Sequence, residues 1–165
     1  LRQYQAGSLL SYTSLPVVPK SSSRLSLNLA HIANGSYGNI SFATSFLVFN
    51  ISSNPANVSL TLTRDDGSPL TVTIQGSGPG TGTNSSFSIP IAAGGSVFLQ
   101  TDGSGAGNSG AATITSNVPV GASAIFTVLD CGFRASAKCA SALCGSPASG
   151  ASFTTARFSL STPPA

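Results

Sequence analysis

Charged side chains are scarce in this 165-residue sequence, which has seven Lys or Arg, four Asp, no Glu and one His. They make up 7% of the residues, whereas an average soluble domain has about a quarter. A net charge of +3 from scattered cations excludes the dense basic surface of a nucleic-acid-binding protein. A coiled coil is excluded as well, because its helices need a regular repeat of Leu, Glu and Lys.

Long apolar runs are also missing, so no membrane-spanning helix is predicted in the mature chain. The first five residues, Leu1 to Gln5, have neither the basic region nor the apolar region of a signal peptide. Ser and Thr take the place of charge, with 45 residues together. We therefore expect a secreted chain, extracellular or at the cell surface, whose leader has been removed. The alternative is a sequence that begins at an arbitrary point.

Alternating apolar and polar residues, the signature of β-strands, run through most of the chain. Gly, Pro, Asn and Ser interrupt them at regular intervals, and no window has helical periodicity. This pattern predicts an all-β fold, an antiparallel β-sandwich of about eight or nine strands, Ig-like or jelly-roll-like. The predicted strands cover residues 24–33, 41–51, 58–63, 70–74, 86–91, 96–101, 111–116, 121–129 and 152–161.

An Asp66-Gly67 pair between two alternating runs predicts a hairpin that joins residues 58–63 to residues 70–74. The aromatic and aliphatic residues on the predicted inner faces are the expected core. They are Phe42, Phe46, Val48, Leu60, Leu62, Phe98, Ile125 and Phe126.

Two regions differ from the rest in composition. Residues 1–23 are predicted to form an extended apolar arm and linker, and residues 24–165 the β-sandwich domain, with a Cys-bearing insertion at 131–150. The arm is a candidate for assembly because it has more apolar side chains than a free tail should expose. These side chains are Leu9, Leu10, Tyr12, Leu15, Val17 and Val18.

The three cysteines, Cys131, Cys139 and Cys144, are candidates for one local disulfide, which would suit an oxidising compartment. Which two pair is left open. The third could be buried, free, or bonded to another molecule. Their spacing fits no common zinc site. Asn-X-Ser/Thr triplets, a mild excess over chance, mark possible glycosylation sites at Asn34, Asn39, Asn50, Asn57 and Asn84.

Catalytic residues are not predicted. A triad would need His31, Asp130 and a nucleophilic Ser, but no Gly-x-Ser-x-Gly elbow occurs. The glycine run at 76–82 is followed by a strand, so it lacks the helix that a phosphate-binding loop requires. The run at 102–105 has too few carboxylates for calcium. We therefore expect no enzyme, no cofactor and no metal site.

Six short segments, in their order along the chain, resemble a secreted bacterial β-sandwich module found in large extracellular proteins, over residues 29 to 129. The segments are 31–35 (HIANG), 46–50 (FLVFN), 54–56 (NPA), 65–70 (DDGSPL), 91–99 (IAAGGSVFL) and 119–126 (PVGASAIF). The resemblance implies an extracellular β-sandwich with no known active site. Usual members of the family lack the Cys-bearing insertion and the long apolar arm.

Two functions are consistent with these features. The first is a non-enzymatic, pilus-like filament subunit in which the arm adds a strand to the sheet edge of an adjacent copy, head to tail. Pairing of the arm with its own sandwich is the alternative for that segment. The second function is a cell-surface adhesion or glycan-binding module, with surface glycans as partners. Neither involves nucleic acid.

Overall fold

The computed structural model describes residues 2–5, 8–12, 20–38, 40–130 and 153–157, with side chains at 21–38 and 40–128. These residues are almost entirely β-strand, and among them there is no α-helix, which confirms the predicted all-β, sandwich-like class. The strands are β1 (Arg2–Gln5), β2 (Ser8–Tyr12), β3 (Arg24–Tyr37), β4 (Ile40–Phe49), β5 (Ala56–Arg64), β6 (Val72–Ile74), β7 (Gly82–Asn84), β8 (Ser86–Ile91), β9 (Ser96–Gln100), β10 (Asn108–Asp130) and β11 (Phe153–Arg157).

One curled antiparallel sheet organises the molecule, in the order β8-β5-β10-β3-β4-β9, with β11 also paired to β10. Because the sheet is curled, the long strand β10 pairs with strands in two different parts of it. Its first half pairs with β3 and β5, and its second half pairs with β4 and β11. The pairing with β3 shifts register between Thr115 and Val120. Two further two-stranded sheets are formed by β1 with β2 and by β6 with β7.

A single apolar core fills the space inside the curl. It combines Leu60 of β5 and Ile114 of the first half of β10 with Phe46 of β4 and Ala122 of the second half of β10. All four side chains are fully buried. Both halves of β10 therefore pack on one core, as the two layers of a sandwich do.

Half of the eight predicted core residues are buried in the structure. Phe46, Val48, Leu60 and Leu62 are buried, and Phe98 is 63% exposed. In strand β9 the residues on either side of Phe98, Val97 and Leu99, point inward. The alternation therefore places Phe98 on the outer face. The remaining predicted core residues are half-buried: Phe42, Ile125 and Phe126.

The turn of the predicted hairpin forms, but its two strands pair with each other only next to the turn. Arg64 N–H donates to Ser68 O at 2.8 Å, and Leu70 N–H donates to Leu62 O at 3.0 Å. Strand β6 then pairs with β7, and β5 takes β8 as its neighbour. The predicted break at 117–119 is not an end of a strand, because β10 continues through it as one element.

Candidate assembly edges and the N-terminal hairpin

The free edge of β3 follows from the directions of the backbone groups in the neighbouring strands. Leu62 N–H donates to Ser85 O at 2.8 Å, which points the backbone of Leu62 away from β10. Its register partner Ala112 therefore turns its own N–H and C=O toward β3, where it lies opposite Leu29. The backbone groups of Leu29 face β10 in return.

Alternation then places the backbone N–H and C=O groups of Asn28 and Ser26 on the opposite side of β3. No described strand pairs with that side, since β4 joins β3 only through residues 35–37. Farther along, the backbone N–H and C=O of Ala33 both bond to the hydroxyl of Thr44, at 3.0 and 2.8 Å. Among the described residues, the unpaired edge therefore covers about the first seven residues of β3, from Arg24 to Ala30.

An apolar side chain accompanies this edge. Leu25 lies on the same face of β3 as the buried Leu27 and Leu29, but it is 54% exposed. It extends the apolar inner face beyond the end of the core. A strand added along β3 could cover Leu25 with its own inward side chains, because successive residues alternate between the two faces.

The edge of β8 is closed by a proline. Asn57 N–H donates to the side-chain oxygen of Asn117, so the backbone of Asn57 faces β10 and does not bond to its register partner Pro90. The ring nitrogen of Pro90 consequently lies on the outer side of β8. Proline on an edge strand removes a donor and obstructs the approach of another strand.

The edge of β9 is short, and neighbouring backbone bonds to its end. Gln75 N–H donates to Gln100 O at 2.8 Å, and Asp102 N–H donates to Thr73 O at 2.9 Å. Strand β6 and the residues that follow it thus bond to the end of β9. Among β8, β9 and β3, only β3 presents a long, unobstructed edge.

The N-terminal segment forms a hairpin of its own. Strands β1 and β2 pair antiparallel with a register shift between Gln3 and Tyr4, and within the described residues they pair with no other strand. The predicted arm residues Leu9, Leu10 and Tyr12 lie on β2. The others, Leu15, Val17 and Val18, lie outside the described residues.

The candidate glycosylation sites differ widely in burial. Asn34 is 6% exposed, and its side chain bonds to the backbone of Gly103 and Ser104 at 3.0 and 3.1 Å. Asn50 is 1% exposed. Both stay predicted sites, and a glycan at either position would have to displace a buried side chain. Asn57 and Asn84 are exposed, and they remain predicted sites. Asn39 lies outside the described residues.

The groups considered for chemistry have structural partners where they are described. The ring of His31 packs edge-on against Phe126, with ring centres 5.1 Å apart. Asp66 accepts hydrogen bonds from Ser68, and Asp65 accepts one from Ser109 at 2.6 Å. No group of three or more metal-ligating side chains occurs among the described residues. The side chain of Asp130 and all of Cys131, Cys139 and Cys144 lie outside them.

Comparisons with known proteins identify no relative of this chain. No family model matches it, and no curated protein or solved structure does. In the described part of the chain, no helix is long and apolar enough to cross a membrane. The edges and faces of the strands are therefore the features from which a function can be inferred.

Proposed function

We propose that this protein is an extracellular structural subunit that assembles with copies of itself by strand addition. The N-terminal segment of one copy pairs with the free edge of β3 in the next copy. The observation that supports this most directly is the unpaired edge of β3 beside the exposed Leu25. Unpaired backbone groups and a nearby apolar side chain are what an added strand uses for affinity and register.

The isolated hairpin of β1 and β2 supplies the second half of the interface. A two-stranded hairpin is marginally stable in water and gains stability when a third strand joins it. Pairing with β3 would provide that strand and cover the apolar residues of β2, such as Leu9. Because the donor segment and the acceptor edge are different parts of the chain, the contact is head to tail and propagates as a filament.

The low charge of the chain is consistent with close packing of subunits. Burying an ion without a partner is costly, and this sequence has only 11 charged residues. The described part of β3 carries a single formal charge, on Arg24, whose guanidinium bonds to the carbonyls of Ser21 and Ser23. An added strand would therefore bury few ions.

A proline at position 28 tests the acceptor edge. Asn28→Pro removes the outward N–H without removing a bond to β10, so the subunit should fold and fail to assemble. Asn28→Ala is the matched control, because both variants lose the 3.0 Å bond from the Thr113 hydroxyl to the Asn28 side chain, but only the proline loses the donor. We expect filaments by negative-stain microscopy from the wild type and the alanine variant, and monomers from the proline variant.

Deletion of residues 1–18 tests the donor. The truncated protein should be a folded monomer by circular dichroism and light scattering, and it should not form filaments. Filaments from the truncated protein, or from Asn28→Pro, would show that the connection is made elsewhere. A wild-type protein that stays monomeric at every concentration would overturn the proposal.

A further inference from the structure

Where the sheet contains the first half of β10, its outer face is a regular array of short, uncharged polar side chains. It spans four neighbouring strands, β8, β5, β10 and β3. We call it the hydroxyl face. Its eight residues are Ser26, Asn28, Ser59, Thr61, Ser86, Ser88, Thr113 and Thr115, and each is exposed or half-buried.

The register of the strands aligns these side chains in two rows. One row runs through Ser86, Thr61, Thr113 and Asn28, and the other through Ser88, Ser59, Thr115 and Ser26. Neighbours in a row are about 4.8 Å apart, and the rows are separated by about 6.7 Å, the repeat of two residues along a strand.

Contacts within the first row hold its side chains in place. The hydroxyls of Thr61 and Ser86 are 3.4 Å apart, and the Thr113 hydroxyl donates to the side-chain oxygen of Asn28 at 3.0 Å. Threonine also has few rotamers on a strand because it is β-branched. These contacts restrain the donors and acceptors of the first row before any ligand arrives.

Charge is confined to the border of the hydroxyl face. Arg24 lies at the start of β3, and Arg64 lies at the end of β5, where it bonds to the carbonyl of Pro69 and the side chain of Asn108. The eight positions themselves include no charged and no aromatic residue. Exposed sheet faces usually mix both signs of charge, so a face of this size without any is unusual.

This composition disfavours most classes of macromolecular partner. Protein interfaces depend on aromatic and Arg anchors and are depleted in Ser. Nucleic acids need cations for their phosphates. A second copy stacked on this face would trap short hydroxyls between two sheets without enough apolar area in return.

We propose that the hydroxyl face binds a neutral polysaccharide. A hydroxyl both donates and accepts, so an array of hydroxyls can match the hydroxyls of sugars without a fixed polarity. The methyl group beside each Thr hydroxyl is equally suited to the C–H groups of a sugar ring. Each such bond is weak against water, so the ligand has to be extended and repetitive, and many contacts have to form together. This proposal is independent of filament assembly.

Binding to insoluble cellulose, β-1,3-glucan and mannan tests the proposal in the full-length protein. We expect the protein to sediment with at least one of them, and Thr115→Lys to lower the partition coefficient about tenfold or more, because an ion at the contact loses water without gaining a partner. Thr115→Ser should bind like the wild type. Thr83→Lys is the matched control, since Thr83 is an exposed threonine on β7. Bound fractions should change less than about twofold in high salt.

Three results would overturn the proposal. The first is no binding to any of the three polysaccharides by a protein whose circular dichroism shows the β-fold. The second is binding that Thr115→Lys and Thr83→Lys reduce equally. The third is a different occupant, shown by a change of oligomeric state in Thr115→Lys or by uptake of the wild type into growing ice without polysaccharide binding.

Discussion

At the scale of single residues, the buried amide of Asn50 connects two loops. Asn50 lies at the end of β4, and its NH₂ group donates to the carbonyls of Asn54 at 2.7 Å and Ala92 at 3.1 Å. Its side-chain oxygen accepts from the backbone and the hydroxyl of Ser52, at 3.0 and 2.7 Å. One side chain thus joins the loop after β4 to the turn between β8 and β9.

Replacing this amide should destabilise the fold. Asn50→Ala removes these four hydrogen bonds from a side chain that is 1% exposed, and we expect a loss of about 2–3 kcal/mol in the free energy of unfolding. Asn57→Ala, at an exposed asparagine, should change it by less than about 0.5 kcal/mol. Urea unfolding followed by circular dichroism measures both. Equal shifts in the two variants would mean that the Asn50 bonds contribute nothing net.

The turn after β5 predicts a dependence of stability on acid. The hydroxyl and the backbone N–H of Ser68 hold the pKa of Asp66 below its ordinary value of 3.8, and the charge of Arg64 acts in the same direction. The ionised carboxylate therefore stabilises the fold fully above pH 3.8, and this contribution is lost as the pH falls through the lower folded-state pKa.

Asp66→Asn should remove that part of the acid dependence. We expect the wild type and the variant to differ most in urea midpoint near neutral pH and to converge as the pH falls below 3.8 and through the lower folded-state pKa of Asp66. Asp66 is fully exposed, so the difference should be small and should shrink in salt. A difference that stays constant from neutral pH to acid would contradict this assignment.

At the scale of strands, the sequence pattern was most accurate where alternation is strict. Strand β8 has the predicted bounds, and its residues alternate between exposed and buried without a break. The prediction failed at β10, where the Pro119 region was expected to end a strand. Pairing of β10 with β5 ends at Ser116, and its pairing with β4 begins at Gly121, so Pro119 lies where the strand changes partners and the tertiary contacts keep it continuous.

Pro90 gives a prediction about strand edges. Pro90→Thr restores an N–H on the outer side of β8, so the variant should associate in a concentration-dependent way. This association should persist after deletion of residues 1–18, because it does not use the N-terminal segment. Pro79→Thr, in the exposed loop between β6 and β7, is the control. Light scattering that shows no difference between Pro90→Thr and Pro79→Thr would mean that Pro90 does not protect the edge.

At the scale of the whole molecule, the curl of the sheet decides which edges and faces are available. Strand β10 has partners on both sides along its first half, so its polar side chains form the middle of the hydroxyl face. Strand β3 lies at one side of that half, and no strand in the described part of the chain pairs with the outer edge of its first residues. The proposed assembly edge and the proposed binding face therefore adjoin each other on the same part of the sheet.

In this arrangement the two proposed functions use different groups: assembly uses the edge of β3, and polysaccharide binding uses the outer face of the sheet. Subunits added along the β3 edge would extend the sheet sideways, and the hydroxyl face would stay exposed on its outer side. Asn28 contributes its backbone to the edge and its side chain to the hydroxyl face. Asn28→Ala should therefore weaken polysaccharide binding and leave assembly unchanged. Comparison of Asn28→Pro and Asn28→Ala in both assays would show whether the two functions are coupled.

Sequence pattern alone predicts the all-β class, most strand positions and half of the named core residues, because alternation is a local property of each segment. It did not determine the partner of each strand. The second strand of the hairpin at Asp66 pairs with β7 instead of β5, and Phe98 faces outward. Both outcomes depend on segments that are distant in the sequence. The pairing of distant strands places Pro90 on one edge, leaves the edge of β3 unpaired within the described residues and aligns scattered Ser and Thr in rows, because edges and registers exist only between strands.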